Sequence, residues 1–203
     1  GGLQRPPMTD EAPIVGTPEW VVENAARIRV VDVREPWEYE GIGHVPGAVS
    51  IPFDSFRAGG DEGGETDGDS GAGDEGMLPG AERFASLLGE AGIAPADAVV
   101  AYDDEHGVFA ARFVVTALLY GHEDVHLLDG DYSAWSRDHE TTTDVPSVEP
   151  VDYQPTVPED RPLVDAAAVE AAIDDPDAVV LDTRTREEYE AGHVPGAVQL
   201  DWR

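Results

Sequence analysis

Two stretches of this chain are nearly the same. "VVDVREPWEYEGIGHVPGAVSIPF" begins at Val30, and "VVLDTRTREEYEAGHVPGAVQLDWR" begins at Val179 and runs to Arg203. Laid over each other, Asp32 meets Asp182, Arg34 meets Arg184, Tyr39 meets Tyr189, and "GHVPGAV" recurs outright. The second copy is one residue shorter between its helix and its turn. A spacing of about 150 residues is far longer than a solenoid period, so the repeat marks a duplicated domain. The second copy stops soon after its "HVPGA", so the expectation is a first domain in full and about a third of a second. That third lacks the counterpart of Ala98 to Trp135.

The periodicity between the copies is that of alternating strands and helices. Thr17-Pro18-Glu19 starts a helix through about Asn24, with Thr as cap, Pro at the first helical position and an acid near the positive end of the dipole. "IRVVDV" (28–33) reads as a buried parallel strand. Pro36 opens a helix through about Glu40, Gly41 and Gly43 end it, and His44-Val45-Pro46-Gly47 forms a turn. Helix from Gly80 to Ala91, strand "DAVVAYD", helix from Val108 to Tyr120, strand "DVHLLD" and a short helix around Trp135 follow. The pattern restarts with a helix over 165–173, a strand over 178–182, and a helix announced by the capping box Thr185…Glu188. Alternation throughout predicts an α/β fold with a parallel sheet flanked by helices.

Composition divides the chain further. Residues 1–12 read as a disordered or expression-derived leader. Residues 13–138 form domain 1, interrupted at 58–76 by a run of Gly and acids that cannot build a core. The five prolines of 139–162 indicate a stiff, extended linker, and 163–203 begin domain 2.

Acidic residues number 43 against 12 basic ones, for a net charge of −31, and all 12 basic residues are Arg. Such a surface repels nucleic acid. It suits molar salt, where a screening length of roughly 3 Å suppresses self-repulsion. A Lys-free, Asp-rich chain resembles proteins of extremely halophilic archaea. No apolar run is long enough to span a membrane, and the expected location is the cytoplasm. There is no cysteine, which removes disulfides, thiolate metal sites and a Cys nucleophile from these residues.

The motif D-x-R…E-Y…GH-x-PGA, followed by "AYDDEHGVFAARFVVTALLYGHEDVHLLDGDYSAW", resembles the rhodanese family, specifically its tandem-domain thiosulfate sulfurtransferases. The resemblance covers Ile14 to Trp202 apart from the acidic stretch. It implies a parallel five-stranded sheet in each domain and a reactive loop between "AVVAYD" and the helix starting near Val108. It also implies a Cys in the C-terminal domain and another residue, often Asp, in the N-terminal one. Backbone N–H groups and the helix dipole converge at such a loop, depressing a thiol pKa and receiving an anionic donor.

On this resemblance Asp103 stands where the nucleophile would be, so domain 1 is the inactive partner and no catalytic residue lies in the chain. Asp104 and Glu105 would repel thiosulfate. The 103–107 loop looks about one residue longer than the family's active loops, which would misdirect its N–H groups. Arg184 and Arg186 are the candidate substrate ligands, with Arg186 two residues before Glu188, the position at which the family carries an Arg. Asp32, Asp182 and Arg34 are read as loop supports, with Arg184, like Arg34, a loop-bracing ion pair before a substrate ligand. His44 and His193 are read as structural groups in tight turns, and His106 as a loop residue before a metal ligand or acid/base.

The resemblance requires no cofactor and no metal. The partner is a small anionic sulfur donor of the thiosulfate class, and the incomplete domain invites dimerisation or domain exchange. The rival is a non-catalytic rhodanese-like binding or regulatory module.

Overall fold

β-Branched runs bounded by polar residues become strands, and all of them run parallel. A computed structural model describes residues 13–57, 78–159 and 163–201, so the leader 1–12 and the acidic stretch 58–76 lie outside the described residues. The chain divides into two units, Gly1–Pro158 and Glu159–Arg203.

The first unit contains β1 (Val15–Gly16), α1 (Pro18–Asn24), β2 (Ile28–Asp32), β3 (Val49–Ser50), α2 (Ala81–Glu90), β4 (Ala98–Tyr102), α3 (Val108–Leu119), β5 (Val125–Leu128) and α4 (Tyr132–Asp138). Its five-stranded sheet has the order β1-β5-β4-β2-β3 with every pairing parallel. The central pair, β2 and β4, is in register from Ile28↔Ala98 to Asp32↔Tyr102. That register sets Asp32 beside Tyr102 at the carboxyl ends of the strands, where open α/β sheets place their functional groups.

Helices cover both faces. Against one face Phe56, Phe84 and Phe113 pack with Val31, Val99 and Ala101. Against the other, Val21, Tyr132 and Trp135 pack with Ile28, Val30, Val100 and Tyr102. The two-residue edge strands β1 and β3 were not expected from the sequence, being too short to carry a periodicity.

The helix opened by Pro36 departs from expectation. It continues past Gly41 as a π turn over Glu38–Ile42, closed by Gly43 N–H donating to Glu38 O at 3.0 Å, and ends at Gly43. The extra residue of the first copy is absorbed in that turn. In the second copy, Gly192 N–H bonds Glu188 O at 3.2 Å, the ordinary α-helical spacing.

The second unit holds α5 (Ala166–Ile173), β6 (Leu181–Asp182), α6 (Arg186–Ala191) and β7 (Val198–Gln199), with β6 and β7 paired in parallel. Asp165 caps α5 through Ala168 N, and the Thr185–Glu188 capping box forms in both directions. β6 is shorter than the strand expected over 178–182.

Among its described residues the stretch read as linker carries no helix and no strand, yet it is tied to the first unit. Thr142 and His44 exchange backbone hydrogen bonds at 2.8 and 2.9 Å, Val148 packs on the core, and Tyr153 is buried in it.

Candidate functional site

β4 ends at Tyr102, and the chain turns at once into the loop Asp103–Gly107 ahead of α3. His106 at φ 57° and Gly107 at φ 84° are both left-handed, and together they fold the loop back over its own start. The result is a cradle of backbone donors around one carboxylate. Asp103 Oδ1 accepts from Glu105 N at 3.0 Å and Gly107 N at 2.8 Å, while Oδ2 accepts from Phe109 N at 2.8 Å and Ala110 N at 2.9 Å. Asp103 is 1% exposed. The expectation that an over-long loop would misdirect these N–H groups is therefore corrected. With His106 and Gly107 left-handed, four donors converge on one group.

The loop is fastened on its far side by α4. Tyr132 N donates to Asp103 O at 2.9 Å, and Asp104 accepts from Ser133 N at 2.8 Å and Ser133 Oγ at 2.9 Å. Asp104 therefore acts as a tie, in addition to carrying negative charge. His106 is exposed, 3.5 Å from Asp131. Among the described residues no three His, Asp or Glu side chains gather as metal ligands.

Beneath the loop lies a buried ion pair. Arg34 Nη2 is 2.6 Å from Asp32 Oδ2 and 2.7 Å from Gly43 O, and its Nε reaches Asp32 Oδ1 at 3.0 Å. Tyr102 donates its hydroxyl to Asp32 Oδ2 and accepts from Val45 N at 3.1 Å. The guanidinium lies 3.8 Å from the centre of the Tyr132 ring. Burial opposes the charge on Arg34, but the Asp32 carboxylate outweighs it and holds the guanidinium above its ordinary pKa. Burial first, and Asp32 second, push the Tyr102 hydroxyl well up, so it remains a donor.

Tyr39 completes the support, its hydroxyl donating to Ala48 O at 2.7 Å and its ring stacked on His44 at 3.8 Å. Asp32, Arg34 and His44 thus hold the GH-x-PGA turn, while Tyr102 and Tyr132 join that turn to the Asp103 loop.

This architecture matches a known family. The rhodanese-like domain profile matches residues 17–138 and 165–203. The chain belongs to the rhodanese-like family. The thiosulfate sulfurtransferase of Pseudomonas aeruginosa is 31% identical over 204 residues, covering 96% of this chain and 67% of that protein. A Haloferax volcanii relative to which thiosulfate sulfurtransferase activity is ascribed is 33% identical over 137 residues, covering 60% of this chain and 48% of its own. Among solved structures, SseA from Escherichia coli, described as a 3-mercaptopyruvate sulfotransferase of rhodanese fold, superposes with a TM-score of 0.72. At 24% identity, over 94% of this chain and 76% of that one, that likeness speaks for the fold. The chain spans about half to two thirds of the length of the curated relatives it matches.

In this rhodanese-like chain the predicted residues fall into two groups. Asp32, Arg34 and Asp103 come together in the first unit. Asp182, Arg184 and Arg186 lie in the second. Arg184 Nη2 is held by Asp182 Oδ2 at 2.6 Å and Gly192 O at 2.8 Å, and Arg186 pairs with Glu190 at 2.8 Å. The hydrogen bond from Arg184 lowers the Asp182 pKa, and Asp182 raises that of Arg184. Tyr132 and Ser133 were missed by sequence reasoning. Their signal was their place just after the αL-prone Gly130 and the Asp131 helix cap, which fixes the start of α4 against the loop.

Proposed function

We propose that this chain is the N-terminal part of a tandem-repeat sulfurtransferase acting on a thiosulfate-class donor, with its first repeat serving as the non-nucleophilic partner. The observation that carries the reading is the Asp103 carboxylate held by four backbone N–H groups. The loop geometry suits an anion, and the anion present is the chain's own side chain, which cannot carry a transferable sulfur.

In the whole protein a Cys thiolate in the second repeat attacks the outer sulfur of thiosulfate. The S–S bond breaks, and sulfite leaves with its electron pair. Cyanide or another thiophile then attacks the outer sulfur of the persulfide and returns the thiolate. The named activity of the Pseudomonas relative supports this donor class. Arg184 and Arg186 are proposed to contribute positive charge near the second-repeat loop, which for Arg184 means releasing part of its grip on Asp182.

The test is thiocyanate formation from thiosulfate and cyanide. The full-length gene product should turn over, and these 203 residues should not. Turnover by the 203 residues, or silence from a full-length product containing the second-repeat Cys, would sink the reading.

A cytoplasm of molar salt is the proposed setting, supported by −31 charges with no Lys. The melting temperature should then rise steeply as KCl is raised from a dilute buffer, with a screening length of about 10 Å, toward the molar range. A flat profile would remove that setting. A non-catalytic binding or regulatory module is the second reading. It is favoured by the same Asp103, and a full-length product with no second-repeat thiol would select it.

A further inference from the structure

Residues 148–156 lie closely against the rest of the first unit. Val151 N donates to Gly89 O at 2.9 Å, and a Cβ at Gly89 would stand 2.6 Å from Val151 O. A Cβ at Gly121 would collide with the Thr156 carbonyl. Two glycines are therefore needed for the segment to lie down, a demand that a free linker would not make.

Two buried histidines hold this strap, and their partners differ. His44 faces two carbonyls, Tyr39 O at 2.9 Å from Nδ1 and Asp144 O at 3.3 Å from Nε2. Both ring nitrogens thus face acceptors on the chain. His122, 1% exposed, faces Asp97 O at 2.9 Å from Nε2 and the Tyr153 hydroxyl at 2.9 Å from Nδ1. Here the neutral ring suffices, with Nε2–H donating to Asp97 O and Nδ1 accepting from Tyr153. Burial pushes Tyr153 up to about 12, so it remains a hydroxyl donor.

We propose that the strap around 149–156 is a pH-sensitive latch, closed by the His122–Tyr153 hydrogen bond and opened when His122 takes up a second proton. A charged His122 would donate from Nδ1–H to the Tyr153 oxygen, taking from the hydroxyl proton the ring acceptor it has now, and would place a cation in a dry site; lifting the strap lets water reach both. Burial, the largest influence, holds the His122 pKa down, and the His126 ring adds to it. The Asp97 carbonyl ahead of β4 and the carboxylates of Asp124 and Asp97 act the other way.

The closed strap thus favours the neutral ring, while the ring exposed by opening has an ordinary pKa of about 6.5. The latch is at full strength above that value and weakens as pH falls below it toward the lowered one. Opening at Tyr153 frees about ten residues of tether before residue 159, roughly 33 Å of extended chain.

The test is hydrogen exchange of the full chain in 3 M KCl at pH 7.5 and 5.0, each corrected to its intrinsic exchange rate. Protection of 149–156 should fall by roughly threefold or more at pH 5.0, with β4 unchanged. His122→Gln, whose neutral amide can both donate to Asp97 O and accept from Tyr153, should keep the strap protected at both pH values. Tyr153→Phe should loosen it at pH 7.5. A pH-independent strap, a His122→Gln variant that stays acid-sensitive, or loss of β4 protection together with the strap overturns the latch. Should His122→Gln fail to fold, ring signals of His122 and Tyr153 in the native chain must titrate together, and separate titrations overturn it equally.

Discussion

The two copies of the GH-x-PGA module are almost superimposable in their bonds and opposite in their surroundings. Tyr39 stacks on His44 at 3.8 Å, and Tyr189 on His193 at 3.7 Å. The Arg34–Asp32 and Arg184–Asp182 pairs both close at 2.6 Å. Tyr39 and Tyr189 each donate to the carbonyl of the Ala that ends the turn, at 2.7 and 2.8 Å. Yet the Arg34 side chain is 2% exposed and that of Arg184 is 48% exposed. Val31 is fully buried at 0%, while its counterpart Leu181 is 53% exposed. The module is local, written in about twenty residues of sequence. What it is worth depends on the sheet around it.

The widest consequence concerns independent folding. Residues 163–203 alone should show no cooperative unfolding in molar KCl, whereas 13–158 should melt as one unit. The first has a two-stranded sheet with Val179, Leu181, Val198 and Leu200 exposed, and the second has five strands covered on both faces. A sharp transition from isolated 163–203 would break the comparison.

Next comes the ion pair. Arg34→Met leaves Asp32 buried without its cation and should cost about 3–5 kcal/mol in denaturant titrations. Arg184→Met should leave the midpoint of the whole chain in place, because its pair is open to water and screened. Equal losses at the two sites would show that burial does not separate the copies.

Asp103 has no counterpart among the described residues of the second unit. Asp103→Ala strips one acceptor group from four N–H donors, and a loss of about 2–4 kcal/mol is expected after water partly refills the site. Asp103→Cys tests the same cradle chemically. The donors now known to converge favour a thiolate, while Asp104 and Glu105 oppose a dianionic donor. Thiocyanate formation by this variant should be slight, and greater once Asp104→Asn, whose amide oxygen can still accept from Ser133 N, and Glu105→Ser are added. Strong turnover by the single variant would make the first repeat an enzyme lacking only its sulfur.

The smallest effect should come from length. Deleting Gly41 converts the π turn of the first copy to the spacing of the second. Because both lengths deliver the same Tyr–His stack, stability should change by less than about 1 kcal/mol. A larger loss would mean that the π turn itself holds Gly43 O against Arg34.

Much of the fold was legible because its signals are local. The Thr17 cap, the Thr185–Glu188 box, the β-branched runs of β2 and β4 and the apolar spacing of α2 and α3 each act within a few residues. The edge strands β1 and β3 were not legible, since two residues carry no period and pairing alone makes them strands. The Asp103 position was found by resemblance, but its four bonds were not, because they depend on left-handed φ at His106 and Gly107. The docking of 142–156 was hidden for the same kind of reason. Five prolines report stiffness, whereas Tyr153 reaching His122 and Gly89 clearing Val151 are meetings of distant residues.

The sequence by itself determined the recurrence of the GH-x-PGA stretch, the absence of any thiol from these residues, the acidic Lys-free composition and the internal bonding of each GH-x-PGA module. These rest on composition or on contacts within one turn of chain. Only the tertiary structure decided that the first module is buried, that Asp103 fills the loop's donors, and that residues 142–156 pack on the first unit. Each of these is set by which distant strand or helix excludes water from a given group, and exclusion of water is a property of the assembled sheet.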